Sequence, residues 1–519
     1  MSIASDKGAA SADSQFLATA QESHSLLISI AGGLFSNATP SFRNHIRNND
    51  VLSVIALSTL LVCPCWDQAG AALPGESPRV QASSYQRPVG AGESSTATVG
   101  SVDSQVVAVA AQGDLELGAN GSSAQAPASA AAASDYVTRQ ELETQVNNMA
   151  WRKGDFTVIP YCTIWGSMSY DSQRSKIGDY ALWFESPDVH PHDADFNVDA
   201  KSTRVGLDFT GPGIPLLGAS KMGGKVEVDF QGQFVTRNKP GLLLRHAYVE
   251  TKGDDLRFLV GQTWDVISPL GIPTLNYTAG SAVGNLAYRR AQFRAERDWE
   301  FSDTFLMTLQ GSVNGNVVTD FVSDPATTTS ADPGPYPDFQ SRVAFTLGAR
   351  GCPDSPPAVL GVGGHYGIQS FDFRTAPVDL GVDIPTYSLD ADLVVPITRR
   401  LGIQGEFFTG FNLSNYMGGI LQGVDRGTHQ GIHATGGWVD IYFAWLPCLH
   451  THSGFAIDDP LDKNMTSGRT CNQMLFNNVI WDVNKNLQFS MEVDVWETHY
   501  LTMAPGEGVR LEFVTKYKF

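Results

Sequence analysis

The sequence predicts an all-β protein: a transmembrane antiparallel β-barrel of about sixteen strands, preceded by a short N-terminal helix. Three observations carry this. Only 17% of the 519 residues are charged, against roughly 25% in soluble proteins, yet 42% are hydrophobic, 10% are aromatic and 51 are glycine. From residue 154 onward, polar and apolar residues alternate with period two. Long connections near 171–200, 265–285, 320–340 and 413–430 also interleave with short ones near 253–255, 299–303 and 484–486. Barrels with long outer loops and short periplasmic turns have this rhythm. A soluble sandwich alternates too, but it does not need so many two-faced strands in one domain.

Composition also removes alternatives. The net charge of −19 argues against a nucleic-acid partner, which requires a basic footprint. A helical membrane protein is excluded, because one apolar run at most approaches the roughly 20 residues needed to span.

Taken in chain order, residues 1–71 read as an extension plus secretory signal. Arg43, His45 and Arg47 precede the apolar run Val51 to Cys63, and Ala69, Gly70, Ala71 and Ala72 supply a small-residue cleavage site near Ala71. Residues 72–133, rich in Ala, Ser and Gly, read as a flexible linker. Over 134–152 a helix is expected. Ser134 or Asp135 caps it, and Leu142, Val146 and Met149 share one face. It either joins a coiled coil or lies alone on the domain. Residues 153–519 form the barrel. The clearest strands are 508–519, with Val509, Leu511, Phe513, Thr515, Tyr517 and Phe519 on one face; 487–496; and 225–234. Thirteen others follow at 156–170, 202–210, 243–252, 256–264, 286–298, 304–314, 341–350, 358–372, 386–396, 401–412, 432–446, 452–457 and 472–483. Four cysteines (Cys162, Cys352, Cys448 and Cys471) remain after the signal, too few for a disulfide framework.

The run Leu244-Arg245-His246-Ala247-Tyr248-Val249-Glu250, followed by Phe258-Leu259-Val260-Gly261-Gln262-Thr263-Trp264, resembles the DcaP-like trimeric porins of Gram-negative outer membranes. The final aromatic strand agrees, as does the helix before the barrel, since members of that family carry an N-terminal periplasmic coiled coil. The resemblance covers residues 135–519. It implies a sixteen-stranded homotrimeric channel in the outer-membrane lipid for small, often anionic, solutes. The long extension and the Ala/Ser linker depart from the family pattern.

A passive channel needs a narrow wet point whose charges set selectivity. The stretch 265–281, with Asp265, Asn276 and Tyr277, follows the strongest motif, and loops this long are uncommon unless functional. It is expected to fold inward as a constriction; the alternative is an ordinary outer loop. In the next strand Arg290, Gln292, Arg294 and Glu296 share a face. An arginine facing lipid costs about 2–4 kcal/mol at the midplane, so this face is assigned to the lumen. Same-face neighbours lie about 7 Å apart, and the arginines would pass a carboxylate along as a ladder. Arg245 and His246 are adjacent, so alternation lets only one point inward, and the sequence does not choose. Arg204 and Arg257 are further candidates. Alternatively, acidic residues such as Glu227, Asp229, Glu250, Glu296 and Asp298 pair with these arginines and stiffen the wall.

Cys448, His450 and His452 fall together on one strand without a visible fourth metal ligand. No cofactor is implied. Neither a Gly-x-Ser-x-Gly elbow nor a His-Glu-x-x-His motif is present, so no enzyme is expected. The expected function is a porin for small hydrophilic solutes, biased to anions such as small carboxylates. The rival is an outer-membrane barrel that anchors or organises the envelope without transport.

Overall fold

The computed structural model describes residues 151–519, apart from 215–219, 233–239, 287, 318–328, 333–335, 351–355 and 376–377. The signal, the linker and the helix expected up to residue 150 lie outside the described residues. Trp151 and Arg152, placed at the end of that helix from sequence, instead belong to a short strand, Trp151–Lys153, hairpinned back on residues 156–158. Gly154, at φ +61°, makes the tight reversal.

The described residues form a closed antiparallel barrel of sixteen staves. They are β1 (Phe156–Asp171), β2 (in two pieces, Asp195–Asp199 and Arg204–Gly211), β3 (Lys221–Gly232), β4 (Gly241–Lys252), β5 (Leu256–Trp264), β6 (Arg289–Ser302), β7 (Phe305–Asn314) and β8 (Asp338–Leu347). The second half comprises β9 (Ala358–Thr375), β10 (Val378–Pro396), β11 (Leu401–Phe411), β12 (His433–Leu446), β13 (Leu449–Pro460), β14 (Arg469–Asp482), β15 (Leu487–Tyr500) and β16 (Gly506–Lys518). Each pairs with its chain neighbours, and β1 pairs with β16 from Thr163↔Lys518 to Asp171↔Arg510, closing the ring. Closure leaves no unpaired edge, which a lipid-spanning sheet requires. No α-helix occurs among the described residues.

Alternation decides which residues meet lipid. On β6, Phe293 is 68% exposed while its neighbour Gln292 is 3% exposed. Ile164, Met168, Val226, Leu244, Val260, Val313, Leu360, Leu389 and Phe513 continue an exposed apolar belt. The opposite faces carry Arg290, Arg342, Asp392, Glu406, Asp440, Glu492 and Arg510, all buried. Polar-inside, apolar-outside strands are the reverse of a soluble core and match an outer-membrane barrel.

Gly261 in β5 has φ +129°, and a Cβ there would sit 2.3 Å from the carbonyl oxygen of Ala247. Only glycine allows β4 and β5 to approach at this point.

Candidate channel constriction

The chain between β5 and β6 turns into the barrel. Its apolar residues Ile267, Leu270, Ile272, Leu275, Ala282, Val283 and Leu286 are each at most 1% exposed. Leu270, Ile272 and Val283 pack on the lumen-facing Trp438, Ala456, Met474, Phe476 and Trp496 of β12–β15, together with Ala181 and Phe184 of the first outer loop. Gly284, at φ +125°, lies so close to the wall that a Cβ would meet the Gly437 carbonyl oxygen at 2.4 Å. Apolar burial drives this loop inward, because exposing so many aliphatic side chains would forfeit about 1.5–3 kcal/mol apiece.

Polar ties then fix its path. Glu406 on β11 accepts from the Leu270 N–H at 2.7 Å and from the Ser268 hydroxyl. Glu492 on β15 accepts from the Leu275 N–H at 2.8 Å and the Thr274 hydroxyl, and from Asn478 Nδ2 at 2.8 Å. Asn478 Nδ2 also donates to the Pro273 carbonyl at 2.7 Å. Asn276 donates to the Ala181 carbonyl at 2.8 Å, and the Tyr277 hydroxyl donates to Asp229 at 2.8 Å. Asp265 accepts from Gln340 at 2.8 Å and pairs with Arg290 Nε at 2.6 Å. Three candidate residues of the loop, Asp265, Asn276 and Tyr277, are thus tied to three parts of the barrel interior.

A second loop, 412–432, also enters. The Tyr416 ring lies 3.9 Å from the Arg290 guanidinium carbon and stacks on His365 at 3.7 Å, and its hydroxyl donates to Asp338 at 2.9 Å. Asp458 on β13 accepts the N–H groups of Gly419 and Ile420.

Lumen-facing cations differ in their access to water. The side chains of Lys225, Arg257 and Arg294 are 17%, 13% and 12% exposed, whereas those of Arg290, Arg342 and Arg510 are at most 1% exposed. The accessible three stand on β3, β5 and β6.

Arg290, Gln292, Arg294 and Glu296 all face inward, but the structure separates the two arginines. Arg290 is sealed by Asp265, by Asp338 at 3.5 Å, by Tyr416 and by the Asn415 carbonyl at 2.9 Å. It anchors both inserted loops. Gln292 donates to the Trp264 carbonyl at 2.9 Å at the root of the loop. Arg294 pairs with Glu296, which also accepts from Arg257 at 3.0 Å; Arg257 reaches Glu250 at 2.6 Å. Within this run of ion pairs on β4–β6 the guanidinium is the better exposed partner: Arg257 at 13% stands over Glu250 at 3% and Glu296 at 7%.

Arg245 and His246 both face inward, which alternation forbids. A β-bulge resolves it: Glu227 pairs with His246 and Val228 with Leu244, leaving Arg245 as the extra residue. Arg245 bonds Glu227 at 2.6 Å and Asp229 at 2.7 Å, while His246 Nδ1 lies 3.0 Å from the Thr263 hydroxyl. Arg204 stands with its guanidinium carbon 5.4 Å from the centre of the Trp165 ring, and Lys516 Nζ lies 3.9 Å from the same ring centre. His450 and His452 face the lumen, with His452 2.8 Å from Asp440, and no metal-holding group of three occurs among the described residues.

With this geometry, the structure resembles the crystal structure of the outer membrane channel DcaP of Acinetobacter baumannii. The TM-score is 0.56 at 18% identity, over 71% of this chain and 99% of that one. The fold is that of a DcaP-like outer-membrane porin. An anion-selective porin from Comamonas acidovorans (TM-score 0.43, 9% identity, 70% of this chain and 100% of that one) and OprB of Pseudomonas putida (0.44, 10%, 73% and 97%) are more distantly similar. No protein-family model and no curated protein matches the chain.

Several structural determinants of this DcaP-like barrel escaped sequence reasoning. Glu406 and Glu492 hold the inner loop, yet in sequence each is one acid in an alternating strand. Lys225 alternates with apolar residues beside Glu227 and Asp229 in 225–234, and nothing in that pattern distinguishes it from them. The outer rim holds its own clip: Asp425 accepts N–H bonds from Thr428 and Thr466, both at 2.8 Å. Burial alone would raise its pKa, but these N–H groups and the two threonine hydroxyls hold the carboxyl below its ordinary value.

Proposed function

We propose that this chain is a porin, a passive diffusion channel for small hydrophilic solutes that favours anions such as small carboxylates and works as a homotrimer in the outer membrane. One observation supports the anion bias above others. Along the accessible wall the cations Lys225, Arg257 and Arg294 stand toward water, while Asp208, Glu250 and Glu296 sit behind them, each more buried than its partner. Anions therefore meet positive charge first, and low surrounding dielectric strengthens that encounter.

The test is a planar bilayer holding the purified protein across a salt gradient. Conductance steps in threes and a reversal potential on the chloride side are expected. Changing Arg257 and Arg294 to glutamine should move the reversal potential toward the potassium side. A folded barrel that does not conduct would overturn the channel reading in favour of an envelope-anchoring barrel.

A further inference from the structure

Arg289 is the first residue of β6, directly before the sealed Arg290. Alternation would send it to the lipid side. Instead it is only 6% exposed, and its charge acts on Arg245, Tyr277, Asp229 and His246, all groups of the lumen. The strand ends here: Trp264 and Arg289 are the last pair before the chain leaves for the inner loop. The guanidinium carbon lies 4.6 Å from the centre of the Trp264 ring and 5.6 Å from that of Tyr288. Two aromatic rings thus fix its position.

Its partners set it apart. Arg245, Arg257, Arg290, Arg294, Arg342 and Arg510 each pair with at least one carboxylate. Among the described residues Arg289 has no carboxylate and makes no hydrogen bond. None of its nitrogens is sealed from solvent, whereas Arg290 Nε and Arg294 Nε are. A buried stem therefore presents a fork of five N–H donors, with no acceptor from the protein, beside the inner loop's Tyr277.

We propose that Arg289, held by Trp264 and Tyr288, is a carboxylate-binding subsite of the channel, taking the planar head group of a small organic monocarboxylate. A planar fork matches a carboxylate in two parallel bonds. A tetrahedral dianion would need a second available cation. The neighbouring Arg245 is already neutralised by Glu227 and Asp229. This subsite rests on the anion-channel reading above, and adds a stopping place to it.

The experiment uses the full-length protein in planar bilayers carrying chloride current, with sodium acetate added to one side and sodium phosphate as the comparison. Acetate should reduce the current saturably, and phosphate should do so more weakly. Arg289→Gln should raise the half-blocking acetate concentration at least tenfold. Arg289→Lys, which keeps the charge and loses the fork, should fall between. Each variant is checked for a folded barrel by its heat-dependent gel mobility. Unchanged acetate block in Arg289→Gln, or full block in Arg289→Lys, overturns the subsite while chloride preference persists. A wild-type reversal potential on the potassium side overturns the underlying anion reading instead, so the two failures are distinguishable.

Discussion

Replacing Glu492 with alanine would remove the far anchor of the 265–288 loop. The Glu492 carboxylate accepts the Leu275 N–H at 2.8 Å and the Thr274 hydroxyl, both buried. Asn478 loses one acceptor but keeps the Pro273 carbonyl at 2.7 Å. Two buried donors are left unsatisfied at about 1–3 kcal/mol each, so the loop's middle loses about 2–6 kcal/mol of attachment. The barrel itself is spared, because β15 keeps its backbone ladders to β14 and β16. Glu406 still holds Leu270 and Ser268, Asn478 still holds Pro273, and Asn276 and Tyr277 keep Ala181 and Asp229, so the loosening centres on Thr274 and Leu275. Single-channel recording should show new exchange between current levels, because the loosened segment moves within the lumen, where Leu275 now packs on Trp165 and Val514. Glu492→Gln keeps one acceptor and should show a weaker form. A trace as quiet as the parent's, from a barrel shown to be folded, would refute the idea that this carboxylate holds the loop.

Arg290→Ala leaves Asp265 and Asp338 buried without their cation, a loss of about 3–5 kcal/mol; the unfolding midpoint of the purified barrel, followed by gel mobility on heating, should fall. Phe293→Arg places a charge on the lipid belt at a cost of about 2–4 kcal/mol near the midplane, and should lower the denaturant midpoint measured in bilayers, whereas Phe293→Leu should leave it nearly unchanged. Asp425 has its carboxyl held below the ordinary value in the folded protein, so its contribution is present above the unfolded pKa and lost as pH falls through the folded one. The clip joining 425–428 to Thr466 should therefore loosen only in strong acid, seen as a new pepsin cut in these loops; Asp425→Asn should loosen it at neutral pH, seen with a neutral protease.

Period-two alternation made the barrel legible, and it did so because lipid outside and water inside impose opposite chemistry on successive residues. All sixteen expected strands, including the glycine-rich 358–372, have counterparts, and most ends agree within a few residues; β10 is the exception, starting at Val378, eight residues before the expected 386. The loop after β5 stood out in the sequence by its length and its place after the strongest motif; its inward course is explained by Val266, Ile267, Leu270, Ile272 and Leu275, all buried. What was not readable depends on contacts between distant residues or on breaks in the period. Arg290 differs from Arg294 because Asp338 and Tyr416 converge on it, and they lie 48 and 126 positions further along the chain. Arg245 and His246 share the lumen because of a bulge set by the partner strand. Arg289 leaves its assigned face because it stands where the strand ends, and alternation has no authority there.

The seam between β1 and β16 has a consequence for how the molecule comes into being. Arg510 meets Asp171 across 339 positions, so the ring is joined through its most distant contacts. Neighbouring hairpins form from short stretches, but the join waits until nearly the whole chain is present, and loop closure of that length is entropically slow to find. Until then β1 and β16 are two raw edges able to pair with any other strand. The same join that makes the finished barrel free of edges therefore makes every unfinished barrel adhesive, and escorting that intermediate to the membrane is the hazardous part of its assembly.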